Sequence, residues 1–128
     1  MNKQKIVLIE DDRILSSSLY RGLTEAGFEV LRAYNGEEGF PLVVKEKPDL
    51  VLLDILMPKI NGLVVAKMLQ GNPETKDIPI IVLTVLDQVE PLAEALETGI
   101  FEYLVKADYK VDEIVEKVKA RLKHSVQK

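Results

Sequence analysis

Asp49-Leu50-Val51-Leu52-Leu53-Asp54-Ile55-Leu56-Met57-Pro58-Lys59-Ile60-Asn61-Gly62 is the stretch that decides how this chain folds. Leu50 to Leu53 run without a polar break and stop at a carboxylate. A short Leu/Val run of this kind reads as a strand buried on both faces, as in a parallel sheet. Asp54 then stands at the carboxyl end of that strand, where open α/β sheets bind their ligands. Met57-Pro58 and Asn61-Gly62 follow at once, so the chain leaves the strand in a loop and not in a helix.

Outward from this stretch, strands and helices alternate. Lys5 to Ile9 is a first apolar run that ends in Glu10-Asp11-Asp12. Arg13 to Ala26 carries Ile14, Leu15, Leu19 and Leu23 at helical spacing, with Asp12 as N-cap and Gly27 as the stop. Glu29 to Tyr34 is a partly alternating strand nearer an edge. Asn35 to Lys47 is a helix capped by Asn35, but Gly39 and Pro41 within it lead us to expect a kink or a late start. Beyond the central loop come a short helix over Leu63 to Leu69, a buried strand over Ile78 to Leu83 ending at Thr84, and a helix over Gln88 to Thr98. A fifth strand over Phe101 to Val105 ends at Lys106, and a helix over Val111 to His124 closes the chain. Five strand-helix alternations without repeat or linker indicate a doubly wound parallel sheet in one domain over residues 1–128, with a core from about residue 4 to about residue 124; the expected form is the five-stranded flavodoxin-like (βα)5 one, whose known strand order is 2-1-3-4-5.

In such a sheet all strand ends lie on one edge, and the first and third strands flank the topological switch point. That edge collects Glu10, Asp11, Asp54, Thr84 and Lys106. Three carboxylates held close repel one another and call for a cation; all-oxygen ligands with room for water suit Mg²⁺. A metal so held attracts a phosphoryl group, and Asp54 can serve as a carboxylate nucleophile that becomes an aspartyl phosphate. Lys106, as a point charge, and Thr84, as a hydroxyl donor, can neutralise the phosphoryl oxygens. Asp12 reads as a helix cap and not as a ligand.

Glu10-Asp11, Asp54 with Met57-Pro58 and Gly62, Thr84 and Lys106 match, in order and spacing, the motifs of response-regulator receiver domains, and the chain resembles that family over essentially its whole length. The resemblance implies that Asp54 is the phosphoacceptor, that Asp11 binds Mg²⁺ (or Mn²⁺) directly and Glu10 through water, and that the backbone carbonyl of Leu56 completes the protein ligands. It implies that Thr84 moves toward the phosphoryl group and that Tyr103 turns inward with it. The Gln88–Thr98 helix, the fifth strand and the last helix would then form the output face. The phosphate donor would be a histidine kinase or a phosphotransfer protein, and a downstream protein target would be bound through that face. Two positions depart from the family. Ala107 replaces the usual proline after the lysine; a cis bond there would cost about 3–4 kcal/mol, and a trans bond would rearrange the loop. Val85 stands where a small residue is usual and narrows the channel for Thr84 and Tyr103. Leu56 and Leu86, two residues beyond Asp54 and Thr84, cannot orient an attacking water, so slow self-dephosphorylation is expected.

Composition bounds the alternatives. The 128 residues are 47% hydrophobic and 30% charged, as in a globular domain, with net charge −4, which argues against a nucleic-acid surface. There is no cysteine and a single histidine, His124, which excludes disulfides, thiolate chemistry and multi-histidine metal sites. No apolar run approaches a signal-peptide core or a membrane span, so a cytoplasmic location without membrane insertion is the default. The reading is a signalling switch that assists its own phosphorylation and is not otherwise an enzyme. A phosphorylation-independent binding module is the main alternative. A haloacid-dehalogenase-like phosphatase is weaker still, because Leu56 stands where that class has a second acid.

Overall fold

The computed structural model describes residues 3–55, 62–84, 100–106 and 109–126, with the backbone alone at 100, 101, 103 and 123–126. The strands are β1 (Lys5–Ile9), β2 (Glu29–Ala33), β3 (Leu50–Asp54), β4 (Ile80–Thr84) and β5 (Ile100–Val105). The helices among the described residues are α1 (Arg13–Glu25), α2 (Gly36–Glu46), α3 (Gly62–Gln70) and α4 (Val111–Val126). All strand pairs are parallel and the order is β2-β1-β3-β4-β5, as expected from the sequence.

The uninterrupted apolar runs have a direct physical cause. Successive strand residues point to opposite faces, and here both faces are covered. Ile6, Leu8, Leu50, Leu52, Ile81 and Leu83 pack against Leu19 and Leu23 of α1 and Ile114, Val118 and Leu122 of α4. Val7, Ile9, Val51, Leu53, Ile80 and Val82 pack against Val43 of α2 and Val65, Ala66 and Leu69 of α3. A polar residue in β3 would face apolar side chains whichever way it pointed. Each fully buried Leu, Ile or Val contributes roughly 1.5–3 kcal/mol relative to exposure.

Caps set the element boundaries. Asp12 Oδ1 accepts from the N–H groups of Ile14 and Leu15 at 3.0 and 3.1 Å, and Gly27, at φ +103°, turns the chain out of α1 in a conformation that side chains avoid. Asn35 Oδ1 accepts from the Glu38 N–H at 2.9 Å, so α2 starts at Gly36 without delay. The expected late start is therefore corrected. Pro41 lies inside the helix and contributes no N–H to its ladder. Gly39 has its own reason to be there: a Cβ would come within 2.6 Å of Ile9 Cδ1, so any side chain at this position would require Ile9 to shift.

A second correction concerns β4, which begins at Ile80 and not at Ile78, and includes Thr84. The Ile78 N–H is used by the Thr75 carbonyl, and Pro79 has no N–H to donate into the ladder; only its carbonyl joins β3, through the Val51 N–H at 2.9 Å. The helix expected over Gln88 to Thr98 lies outside the described residues. Among those described, no helix is long and apolar enough to cross a membrane.

Candidate functional site: an acidic cluster at the carboxyl edge of the sheet

The register of the sheet brings the site together. Ile9 of β1 is level with Leu53 of β3, so Glu10 and Asp54 are the next residues on adjacent strands. Asp54 is level with Leu83, which puts Thr84 one position beyond it on β4; Thr84 in turn is level with Val105, after which Lys106 leaves β5. Every group expected at this edge from the sequence is thus at this edge. Glu10, Asp54 and Thr84 are buried, Asp11 is half-buried and Asp12 is exposed. Asp12 is occupied as the α1 cap, as anticipated.

Glu10, Asp11 and Asp54 each present a carboxylate oxygen, all within 4.8 Å of one another. Lys106 reaches into this group from β5. Its Nζ lies 3.0 Å from Glu10 Oε1, 3.2 Å from Glu10 Oε2 and 3.3 Å from Asp54 Oδ1. Glu10 Oε2 also accepts from the Asp12 N–H at 3.0 Å. Burial pushes the Asp54 carboxyl up to about 8; the negative Glu10 beside it and the hydrogen bond with Asp11 add to the rise, while Lys106 opposes it. Burial alone would favour neutral Lys106, but the Glu10 and Asp54 carboxylates outweigh it and raise its pKa. Both shifts have one origin, the gathering of three carboxylates where little water reaches.

The donor set fits a hard divalent cation. All ligand atoms are oxygens, the carboxylates outnumber the lysine in contact with them, and half-buried Asp11 leaves an approach from solvent. Mg²⁺ or Mn²⁺, held through few carboxylates with several waters, suits this chemistry.

One feature of the site has no signal in the sequence, and another has a signal without a visible cause. The Glu10–Lys106 ion pair spans 96 positions. Gly62 belongs to a sequence motif, and its physical task is close approach. A Cβ there would overlap the Asp54 carbonyl oxygen and lie 2.7 Å from the Ile55 Cα, while the Gly62 N–H donates to the Ile55 carbonyl at 2.8 Å. The first turn of α3 is thereby clamped onto the end of β3. Leu56, Val85, Leu86 and the Lys106–Ala107 bond lie outside the described residues, as does the Tyr103 side chain.

Comparison with known proteins agrees with the geometry. Residues 6–119 match the response regulator receiver domain family. DNA-binding dual master transcriptional regulator RpaA of Synechocystis is 34% identical over 94% of this chain and 50% of its own length. Response regulator MprA of Mycobacterium tuberculosis is 33% identical over 94% of this chain and 51% of its own. The chain spans about half the length of the curated relatives it matches. Among solved structures, response regulator TrrA of Thermotoga maritima, in complex with Mg²⁺ and BeF, superposes with a TM-score of 0.78 at 35% identity, covering 91% of this chain and 97% of that one. Fold, acidic cluster and relatives agree, and this chain belongs to the response regulator receiver domains, the signalling modules of two-component systems.

Proposed function

We propose that these 128 residues form one receiver unit in which Asp54 accepts a phosphoryl group from a histidine kinase or a phosphotransfer protein. The observation that carries this reading is the meeting of Asp54 with Glu10, Asp11 and Lys106 at the carboxyl edge of the sheet. An Asp54 carboxylate oxygen attacks phosphorus, the bond from phosphorus to the donor nitrogen breaks, and the electron pair leaves with the donor imidazole, which takes up a proton. Lys106, already 3.3 Å from Asp54 Oδ1, is at hand to neutralise a phosphoryl oxygen, and Thr84 to donate its hydroxyl hydrogen to another.

Asp11 and Asp54 would bind Mg²⁺ (or Mn²⁺) directly, Glu10 through water, with the Leu56 backbone carbonyl as a further ligand. When bound, the ion supplies positive charge to the transferring group. Glu10, both of whose oxygens face Lys106, has the second task of holding that lysine in the site. The relatives' length leaves the output of the whole protein open to two routes: an attached output domain, or a separate target engaged through the Gln88–Thr98 helix, β5 and α4, with Thr84 and Tyr103 as the switch pair. A cytoplasmic setting follows from a kinase as donor. Leu56 and Leu86 would keep the aspartyl phosphate long-lived by excluding water; Leu86→Glu or Leu56→Asn should then shorten its lifetime.

Intact mass after incubation with acetyl phosphate, with and without Mg²⁺, tests the central claim. A Mg²⁺-dependent gain of one phosphoryl group, absent in Asp54→Asn, is the expected result. No gain under any condition would favour a phosphorylation-independent binding module.

A further inference from the structure

The exposed hydroxyl of Ser17 stands among three arginines. Arg13 and Arg21 lie four residues before and four after it in α1, on the same face of the helix. Arg32 of the neighbouring strand β2 donates from Nη1 to Ser17 Oγ at 3.4 Å. Ring stacking holds two of these guanidiniums in place. Arg13 lies 4.0 Å from the Tyr34 ring centroid, and Arg32 lies 4.4 Å from that of Tyr20 and 5.9 Å from that of Tyr34. Among the described residues none of the three arginines forms a salt bridge, although the chain has 21 acids to 17 lysines and arginines.

Arg32 by itself serves the fold, because it ties α1 to β2 and screens an open sheet edge. That role does not account for Arg13, the first residue of α1, where the helix dipole disfavours a cation. We propose that Ser17 is a phosphorylation site for a serine/threonine protein kinase, and that Arg13, Arg21 and Arg32 clamp the resulting phosphoserine. Ser17 Oγ attacks the γ-phosphorus of a nucleoside triphosphate held by that kinase. The bond to the bridging oxygen breaks, the nucleoside diphosphate leaves with the electron pair, and the hydroxyl proton passes to a base of the kinase. A neutral hydroxyl becomes a group of nearly two negative charges, and planar guanidiniums bind its oxygens through charge-assisted hydrogen bonds. The single Arg32 bond is replaced by several, and the start of α1 is fastened to β2. The choice among the three serines follows from their neighbours. Four residues to either side Ser16 has Asp12 and Tyr20, and Ser18 has Ile14 and Gly22; only Ser17 has two cations. A kinase takes its serine from an extended segment, and the first half of α1 is built to open. Its apolar anchors, Leu19 and Leu23, lie in the second half, while Ile14 is 82% exposed. The Ser16 hydroxyl is buried without a hydrogen-bond partner among the described residues, which adds a cost to the closed form.

The site is separate from the acidic cluster and does not depend on phosphorylation of Asp54. Its test begins with the Asp54→Asn chain, incubated with γ-labelled ATP and an extract of the cells that make the protein. Label that resists hydroxylamine, which cleaves acyl phosphates, should appear on the Ser17 peptide. Adding Ser17→Ala should abolish it, and adding Ser18→Ala should not. Ser17→Ala alone should still gain phosphate from acetyl phosphate, so failure here is distinguishable from failure of the Asp54 reading. The clamp is read separately, on the chain with phosphoserine incorporated at position 17 during translation. Phosphorus NMR should place the second phosphate pKa about one unit below its ordinary value of about 6, and the thermal midpoint should rise. Arg13→Gln with Arg32→Gln should return the pKa toward that ordinary value and remove the rise. Absence of stable label, label that persists in Ser17→Ala, or a phosphoserine with ordinary titration and a lowered midpoint would each overturn the proposal.

Discussion

Removing the phosphoacceptor charge should make the metal-free protein more stable. Asp54 is 1% exposed, shares the site with Glu10 and Asp11 within 4.8 Å, and has Lys106 at 3.3 Å in part compensation. The balance holds its carboxyl at about 8 in the folded chain, against an ordinary value of 3.8. The folded protein therefore keeps a proton that the unfolded chain has already lost, and stability falls as pH rises from about 4 to about 8, then levels off. With one unit worth about 1.4 kcal/mol, the cost at pH 7 has a ceiling of about 4 kcal/mol. Asp54→Asn removes that cost but forfeits the contact with Lys106, so a gain of about 2 kcal/mol is expected. Urea unfolding followed by circular dichroism, in EDTA at pH 5, 7 and 9, measures it. The gain should be smallest at pH 5, and the variant should lose most of the pH slope. Saturating Mg²⁺ should reverse the order, adding about 2.7 kcal/mol to the wild type at a hundredfold excess over Kd and little to the variant. A wild type as stable as Asp54→Asn in EDTA at pH 9, or a variant with an unchanged slope, would refute the picture of a carboxylate cluster strained by its own charge.

Three further perturbations follow from the packing. Lys106→Met leaves Glu10 and Asp54 without their cation and should cost about 2 kcal/mol at pH 8 in EDTA and clearly less at pH 5; an equal loss at both would contradict the ion-pair geometry. Gly39→Ala drives a methyl into Ile9 and should cost about 1–3 kcal/mol in thermal unfolding, with partial rescue by Ile9→Val; a neutral Gly39→Ala would mean α2 can shift freely on β1. Asp12→Ala removes the α1 cap and should cost about 1 kcal/mol while leaving Mg²⁺ affinity, read by calorimetry, nearly unchanged; a large loss of affinity would make Asp12 a ligand after all.

The sheet was legible because its strands are buried on both faces. Leu50 to Leu53 and Ile80 to Leu83 have no solvent side, so their apolar runs are continuous and stop where the carboxyl edge begins. Parallel strands put all their carboxyl ends on one edge, and with them Glu10, Asp54, Thr84 and Lys106. Boundaries that rest on local propensity were less secure. Pro41 argued against an early helix start, yet the Asn35 cap and the seat of Gly39 on Ile9 hold α2 from Gly36 onward. Ile78 looked like strand, but turn hydrogen bonds after α3 claim it first.

What the sequence by itself determined is which residue types stand at which strand ends, since periodicity and punctuation are local and survive without the fold. What only the tertiary structure decided is how those residues divide their charge. Glu10 binds Lys106 with both oxygens, Asp54 shares the same lysine from farther away, Gly62 presses on the Asp54 backbone, and Arg13 and Arg32 stack on tyrosines where α1 meets β2. Coulomb energy and desolvation depend on distances of a few ångströms between groups far apart in the chain, and those distances exist only once the sheet has closed its register.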